Sequence, residues 1–482
     1  MGPTERAFLV AGLGFGDEGK GSVVDWLVRR HRATLVVRYN GGPQAAHHVV
    51  RPGGLTHCFA QLGAGSLVPG VRTFLSRYML VDPLALHAEA AALGRVSLEE
   101  VWSRLFIDPR CVVVTPFHRL LNQMREVARG DARHGSCGRG VAEAQLDSER
   151  GGLPVVRMGD LRDPPRLYAT LRLLWQVKID QAEQLVDQFF DRCFGQGSDQ
   201  ADDARIGGPR LRALLEDLRQ PHRVEALCDS FVTLIRDRGV TLTEQPPPAR
   251  SVVFEGAQGV LLDREHGFFP FVTPSRTTLA NAQMLLDDWA PRAERIRVGV
   301  LRAYATRHGA GPLPTEDREL MARLPDAHNA LDPWQGDFRV GWFDAVLGRH
   351  ALRSVGGVDA LVLTCLDRLA GLGPLRLADA YAEAQEGAPE LSEVSWPGAA
   401  LWREIPRVRP ELTARTALSA RLFELRPRYK RLAGWDGPGL TGPALAYVEK
   451  VAASLGATVT VSAVSLGATA EDKQLLSGRP LL

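Results

Sequence analysis

The segment Gly14-Phe15-Gly16-Asp17-Glu18-Gly19-Lys20-Gly21 constrains this chain more than any other. It follows the apolar run Phe8–Leu13 directly and precedes a helix-forming stretch, Ser22–Arg30. Strand, glycine-rich loop and helix in that order bring backbone N–H groups and the positive end of a helix to one point, which suits a phosphate. The spacing of Gly14, Gly19 and Lys20 is that of a P-loop, except that Gly21 stands where Ser or Thr would hold magnesium. Asp17 inside the loop is the second departure. A carboxylate beside a phosphate cradle is repelled by its ligand unless it binds a metal or removes a proton. The loop therefore predicts phosphoryl chemistry with an acid–base group of its own.

Short apolar runs recur along the chain at Phe8–Leu13, Leu35–Arg38, Val252–Phe254, Val298–Leu301, Ala360–Leu363 and Thr458–Val464. Most lead into a Gly-rich or polar turn, with helical patterns between them. That alternation predicts an α/β fold, a large and mostly parallel central sheet flanked by helices, with ligands gathered at the carboxyl ends of its strands. Leu171–Phe190 reads as a long amphipathic helix, Gly195–Gly208 as a surface loop, and Gln245–Arg250 as a stiff connector. Composition does not change at either break, so residues 1–482 read as a single body with helical excursions at about 85–245 and 370–450. A formal charge of +2 speaks against a dedicated nucleic-acid binder. Six scattered cysteines without a CxxC pair predict reduced thiols in a cytosolic protein. No apolar run approaches the roughly 20 residues that span a bilayer, so no membrane partner is expected.

Further motifs follow the strand-like runs. Arg38-Tyr39-Asn40-Gly41-Gly42-Pro43-Gln44-Ala45-Ala46-His47-His48 joins a Gly-Gly turn to polar side chains at a strand end, as binding loops do. Ser136-Cys137-Gly138-Arg139-Gly140 offers hydroxyl, thiol and guanidinium beside two glycines. Phe254–Asp263 (FEGAQGVLLD) presents a Gly-flanked amide at Gln258, and His266–Thr278 (HGFFPFVTPSRTT) is rich in hydroxyls. Thr306–Pro312 (TRHGAGP) is another glycine-shaped loop, and Thr364-Cys365-Leu366-Asp367 places a carboxylate where it could accept two N–H donors from a guanine edge.

In this order, with Val340-Gly341-Trp342 and the C-terminal Val464-Ser465-Leu466-Gly467-Ala468, the segments resemble the adenylosuccinate synthetase family over almost the whole chain. The resemblance implies a P-loop-like fold and a homodimeric ligase that uses GTP and magnesium. Such a ligase phosphorylates the 6-oxygen of inosine monophosphate, which an amine then displaces. It implies that Asp17 takes the proton from purine N1 and binds magnesium, with the carbonyl of Ala46 as a further ligand of the metal. Lys20 would neutralise phosphate charge, His47 would contact the transferred phosphoryl, and Gln258 would hold the purine. Gly14, Gly16, Gly19, Gly21, Gln44, Ser136, Cys137, Arg139 and Thr273 fall on nucleotide-binding positions, with Asp367 and Gly467 on the guanine side. Arg150 is the counterpart of an arginine that crosses the dimer interface.

The departures bear on the substrate. The family clamps the two carboxylates of L-aspartate with a run of four arginines before Thr-Gly-Trp, a task for planar bidentate donors. Here the stretch reads Pro333-Trp334-Gln335-Gly336-Asp337-Phe338-Arg339-Val340, and only Arg339 survives. Trp334, Asp337, Phe338 and Arg339 thus line an acidic, aromatic amine loop, suited to a neutral or cationic, polyhydroxylated amine such as an amino sugar or glycosylamine. Arg318 or Arg323 could instead be displaced members of the clamp. Cys365 replaces a lysine near the guanine site, so ATP stays open as co-substrate beside GTP; GMP or deoxynucleotides stay open beside IMP, since 2-amino purines share the reacting edge. Two alternatives remain: an ordinary aspartate-using adenylosuccinate synthetase, and a non-catalytic nucleotide sensor.

Overall fold

A computed structural model describes residues 4–96, 100–130, 133–194, 201–326, 334–383, 401–408, 410–476 and 482. Its centre is a ten-stranded sheet in which the strand Arg6–Gly12 pairs in parallel with Ser251–Gly259 on one side and Glu294–Arg302 on the other. Beyond Ser251–Gly259 follow Leu35–Arg38, Arg72–Leu75, Leu105–Ile107 and Thr241–Leu242, all parallel. Beyond Glu294–Arg302 follow Ala360–Thr364, Val461–Ser465 and the antiparallel edge Lys473–Leu475.

Arg6–Gly12 is buried on both faces because its residues alternate between two cores. Phe8 and Val10 pack on one side, and Ala7, Leu9 and Ala11 on the other. Such a strand needs an unbroken apolar run, the pattern expected where helices cover both faces. The carboxyl ends at Gly12, Arg38, Gly259, Arg302, Thr364 and Ser465 each lead into one of the sequence motifs.

Two excursions differ from their sequence reading. The stretch expected to be a loop at 195–208 is helical from Ala201 to Leu218, with 195–200 outside the described residues. Gly207 and Gly208 are not breakers here. A Cβ on either would meet a ring, Phe189 at 3.2 Å or Phe190 at 3.0 Å, so the glycines let this helix lie against Pro164–Phe194. Residues 370–450, read as helical, also carry the strands Leu375–Glu383, Leu401–Trp402 and Leu425–Leu432. With Phe343–Asp344 these form a separate four-stranded sheet. Among the described residues no helix is long and apolar enough to cross a membrane.

The first excursion is tied together by buried charge. Lys178, fully buried in Pro164–Phe194, reaches Asp147 of the helix Val141–Glu149 at 2.7 Å, and His118 of Pro116–Arg129 lies 3.1 Å from the same carboxylate. Burial opposes the Asp147 charge, but His118 and Lys178 outweigh it and hold the carboxyl below its ordinary 3.8. Its stabilising contribution is complete above that value and is lost as pH falls through the lowered pKa. Lys178→Met leaves a carboxylate buried without its main partner. The substitution should cost about 3 kcal/mol, seen as a fall in the thermal unfolding midpoint, and the difference from wild type should shrink in acid.

Candidate active site

The glycine-rich loop is organised by one of its own side chains. Glu18 is 2% exposed, and its Oε1 accepts the N–H groups of Gly14 and Gly16, both at 2.9 Å. Lys20 Nζ donates to Oε2 at 2.6 Å. Burial opposes the Glu18 charge, but Lys20 and the amides prevail and lower its pKa. The donors read as a phosphate cradle therefore already hold an anion. In this structure Gly14, Gly16 and Lys20 bind Glu18, because the chain turns that carboxylate inward. The turn requires left-handed backbone at Gly16 and Gly19, and also at Asp17, where φ is 60°. Aspartate is among the few residues that tolerate that region.

Gly21 opens the helix Lys20–Arg30 and explains the missing Ser or Thr. A Cβ there would lie 2.8 Å from His47 Cβ and 3.0 Å from its carbonyl carbon. The glycine thus admits the strand His47–Val50 against the loop. His47 is buried, with Nδ1 2.5 Å from Glu255 and Nε2 3.0 Å from the carbonyl oxygen of Ala257. Burial draws its pKa down against the pull of Glu255. A neutral ring that donates through Nδ1 leaves Nε2 facing a carbonyl with no hydrogen to share. Asp17 and His47 are not hydrogen-bonded to each other. The Asp17 carboxylate lies 3.7 Å from His308 Nε2 instead.

Each glycine of the Gly41-Gly42 turn makes room for an amide side chain. A Cβ on Gly41 would meet Gln258 at 3.0 Å, and one on Gly42 would meet Gln44 at 3.1 Å. Asn40 pins the turn by accepting from Ala257 N and donating to the carbonyl of Arg276. Both polar atoms of the Gln258 amide and Oε1 of Gln44 are buried without a partner among the described residues. Buried polar groups are paired as a rule, so an unpaired donor and acceptor side by side mark where a ligand edge belongs. Ser275 Oγ is orphaned in the same way, two residues after the half-buried Thr273. Ala46 is exposed and lies outside the left-handed region, so replacing a glycine there brings no strain. Ser136 is hydrogen-bonded to Asn122, and Arg139 and Arg150 are exposed.

On the opposite side, Leu366 N donates to the carbonyl of Ser465 and so joins the Cys365–Asp367 turn to the Gly467 turn. Asp367 is raised by burial, with Asp472 of the neighbouring turn adding to the shift. A carboxylate in that setting gains from two N–H donors.

The amine loop divides its residues. Trp334 lies under Arg210, 4.3 Å from the guanidinium, and against Gly138, so it links two protein segments. Arg339 donates to Glu316 at 2.8 Å and to the carbonyls of Gly309 and Gly311 at 2.6 and 2.7 Å. Its guanidinium braces the TRHGAGP loop. Phe338 faces His308 with ring centroids 4.9 Å apart, and Asp337 is exposed. Arg318 and Arg323 are exposed as well, and Arg323 is bound to the carbonyls of Gly371 and Leu372. Pro333 lies outside the described residues.

Over residues 9–473 the sequence matches the family described as adenylosuccinate synthetase. This chain belongs to that family. The adenylosuccinate synthetase of Acidithiobacillus ferrooxidans is 34% identical over 375 residues, 77% of this chain and 80% of that protein. That of Myxococcus xanthus is 31% identical over 480 residues, 97% and 98% of the two chains. Among solved structures, a fully ligated adenylosuccinate synthetase from Plasmodium falciparum superposes with a TM-score of 0.67 at 19% identity, covering 98% of this chain and 99% of that one. Cyanophage S-2L succinoaminodeoxyadenylate synthetase, bound to dGMP and to dATP as energy donor, gives 0.54 at 17%, covering 99% and 97%. At such identities the structures show a shared fold. The family, which generally uses GTP and magnesium, makes the chain a ligase that forms a C–N bond on a purine nucleotide.

Sequence reasoning assigned no role to Glu18, Glu255, Ser275 or His308. Nothing local marks them, because what places them is a contact with a distant segment. Magnesium carried by nucleotide phosphates needs only one or two protein carboxylates. Asp17, which Glu18 leaves at the partly exposed rim, fits that demand. Among the described residues no cluster of three or more His, Cys, Asp or Glu could hold a metal. Gly21→Ser, which restores the P-loop hydroxyl, should not help: its Cβ pushes His47 aside. Displacements of that size cost on the order of 100-fold in rate, which phosphate release from GTP would show, whereas wild-type activity in the variant would refute the steric account.

Proposed function

We propose that this enzyme phosphorylates O6 of a 6-oxopurine nucleotide such as IMP and displaces the phosphate with an amine other than L-aspartate. The amine-loop geometry carries this reading. Where the family's arginine run would clamp two carboxylates, Asp337 and Phe338 stand, and the guanidinium of Arg339 is engaged by two carbonyls and Glu316. Losing charge-assisted hydrogen bonds of about 1.5–3 kcal/mol each weakens aspartate binding by decades, and Asp337 repels a dicarboxylate. A neutral or cationic amine, such as an amino sugar or glycosylamine, meets no such barrier.

The purine edge is held by the unpaired amide of Gln258, with Gln44 at the same Gly41-Gly42 turn. Asp17 takes the N1 proton, which lets O6 attack the terminal phosphoryl of the triphosphate. Magnesium, held by Asp17, the Ala46 carbonyl and the phosphates, would supply charge neutralisation there. A phosphoryl oxyanion reaching His47 Nε2 favours the imidazolium, which donates at both nitrogens, to Glu255 and to the phosphoryl. The amine then attacks C6, the C6–O6 bond breaks and phosphate leaves with O6. Asp367 and the Gly467 turn would read guanine, although ATP is a workable co-substrate where the family lysine is Cys365. Thr273 and Ser275 would bind the 5′-phosphate. The exposed Arg150 would reach a second subunit in a homodimer.

Incubation with IMP, GTP, magnesium and a panel of amines tests this. Phosphate release should require the nucleotide and should fall about 100- to 10,000-fold in Asp17→Ala. Amino sugars should support turnover better than aspartate. Efficient synthesis of adenylosuccinate from aspartate would reject the altered-amine reading and leave the ordinary synthetase, the name carried by the curated relatives.

A further inference from the structure

Arg302 ends the strand Glu294–Arg302, next to the strand that leads into the glycine-rich loop. Its side chain is only 11% exposed. One nitrogen, NH2, donates to Asp326 at 3.2 Å. Nε and NH1 are buried and have no hydrogen-bond partner among the described residues. The rings of Tyr304 and Phe338 lie against the guanidinium, at 4.8 and 5.9 Å. Burial opposes its charge, but Cys365, Tyr304, Asp17 and Asp326 more than offset this and keep the group cationic. A buried cation with two idle donors is costly in a folded protein, and a ligand that completes it removes the cost.

The surroundings say what kind of ligand. Arg302 pairs in register with Thr364, whose hydroxyl donates to the carbonyl of Glu18, and Cys365 and Asp367 follow at once. The guanidinium therefore sits in the corridor between the glycine-rich loop and the turn assigned to the nucleotide base. In that corridor Glu18 has already taken the amides of Gly14 and Gly16 and the ammonium of Lys20. Glu18 thus occupies two amides of the loop and one donor of Lys20, and a further cation beside the loop adds to the hold on a terminal phosphate.

We propose that Arg302 is the oxyanion-binding residue of the phosphoryl-transfer site and holds the terminal phosphate of the nucleoside triphosphate. The carboxylate of an amine substrate is the other source of the same chemistry. Nε and NH1 lie on different edges of the guanidinium, so each offers its own charge-assisted N–H to an oxyanion, which either ligand supplies. The proposal rests on reading the chain as a nucleotide-dependent ligase.

The test uses the full-length chain with Arg302→Met and Arg302→Lys, and measures GTP and GDP binding with magnesium by calorimetry alongside the KM values for GTP and amine. Arg302→Met should weaken GTP by about 10- to 100-fold and GDP much less, and Arg302→Lys should recover part of the loss. The unfolding midpoint should fall in the methionine variant, because Asp326 loses its cation, and should fall less in the lysine variant. Unchanged GTP binding with a raised KM for the amine alone would move the bound oxyanion to the amine and overturn the phosphate assignment. No change in any of these quantities would overturn the proposal altogether. A wild-type protein that binds GTP but releases no phosphate with any 6-oxopurine nucleotide would refute the ligase reading instead, and the comparison of GTP with GDP would still decide the role of Arg302.

Discussion

The carboxylate of Glu18 holds the glycine-rich loop in shape, and the rest of the site takes its position from that loop. Three donors converge on it from Gly14, Gly16 and Lys20. Its own carbonyl accepts from Thr364, which fastens the loop to the strand that leads to Asp367. Gly12, Gly14 and Gly259 leave no room for a Cβ beside this carboxylate, so several glycines of the motifs serve an internal anion. The arrangement turns Asp17 to the rim at a left-handed backbone position, free to meet a metal or a purine proton.

A P-loop normally uses its amides and lysine on phosphate, with a hydroxyl on magnesium. Here the lysine and two amides bind a carboxylate, and the hydroxyl is deleted so that His47 can approach. Further polar groups of the site stand on or just beyond neighbouring strands. Glu255, on the strand beside the loop, holds His47, while Gln258 on the same strand faces the Gly41-Gly42 turn. Charge for the triphosphate comes from Arg302 on the other side. The protein thus keeps the strand–loop–helix frame of a phosphate site while drawing its chemistry from five motifs far apart in sequence.

That division also explains what the sequence could reveal. Glycine spacing and apolar runs are local, and they placed the parallel sheet and brought each motif to a strand end. Asp17, His47, Gln44 and Gln258 could be named because glycine turns flank them. The inward turn of Glu18 could not, since a GDEGKG string does not say which carboxylate points in. His308 and Arg302 depend on partners such as Asp17, Phe338 and Asp326, which only the fold brings near. The misread segment at 201–208 fails for the same reason: glycines break helices in isolation, but here they face the rings of Phe189 and Phe190. The amine loop is an intermediate case. Its composition announced a missing clamp, yet only the structure shows Arg339 engaged by backbone carbonyls and Trp334 packed away under Arg210.

In the proposed reaction the purine 6-oxygen becomes the bridging atom of a phosphoryl ester. Inosine monophosphate carrying ¹⁸O at position 6, turned over with GTP, magnesium and an accepted amine, tests this directly by mass analysis of the released phosphate. Transfer of the label into phosphate, one atom for each turnover, is the predicted result. Phosphate free of label, with the heavy oxygen left on the purine or lost to water, would contradict it.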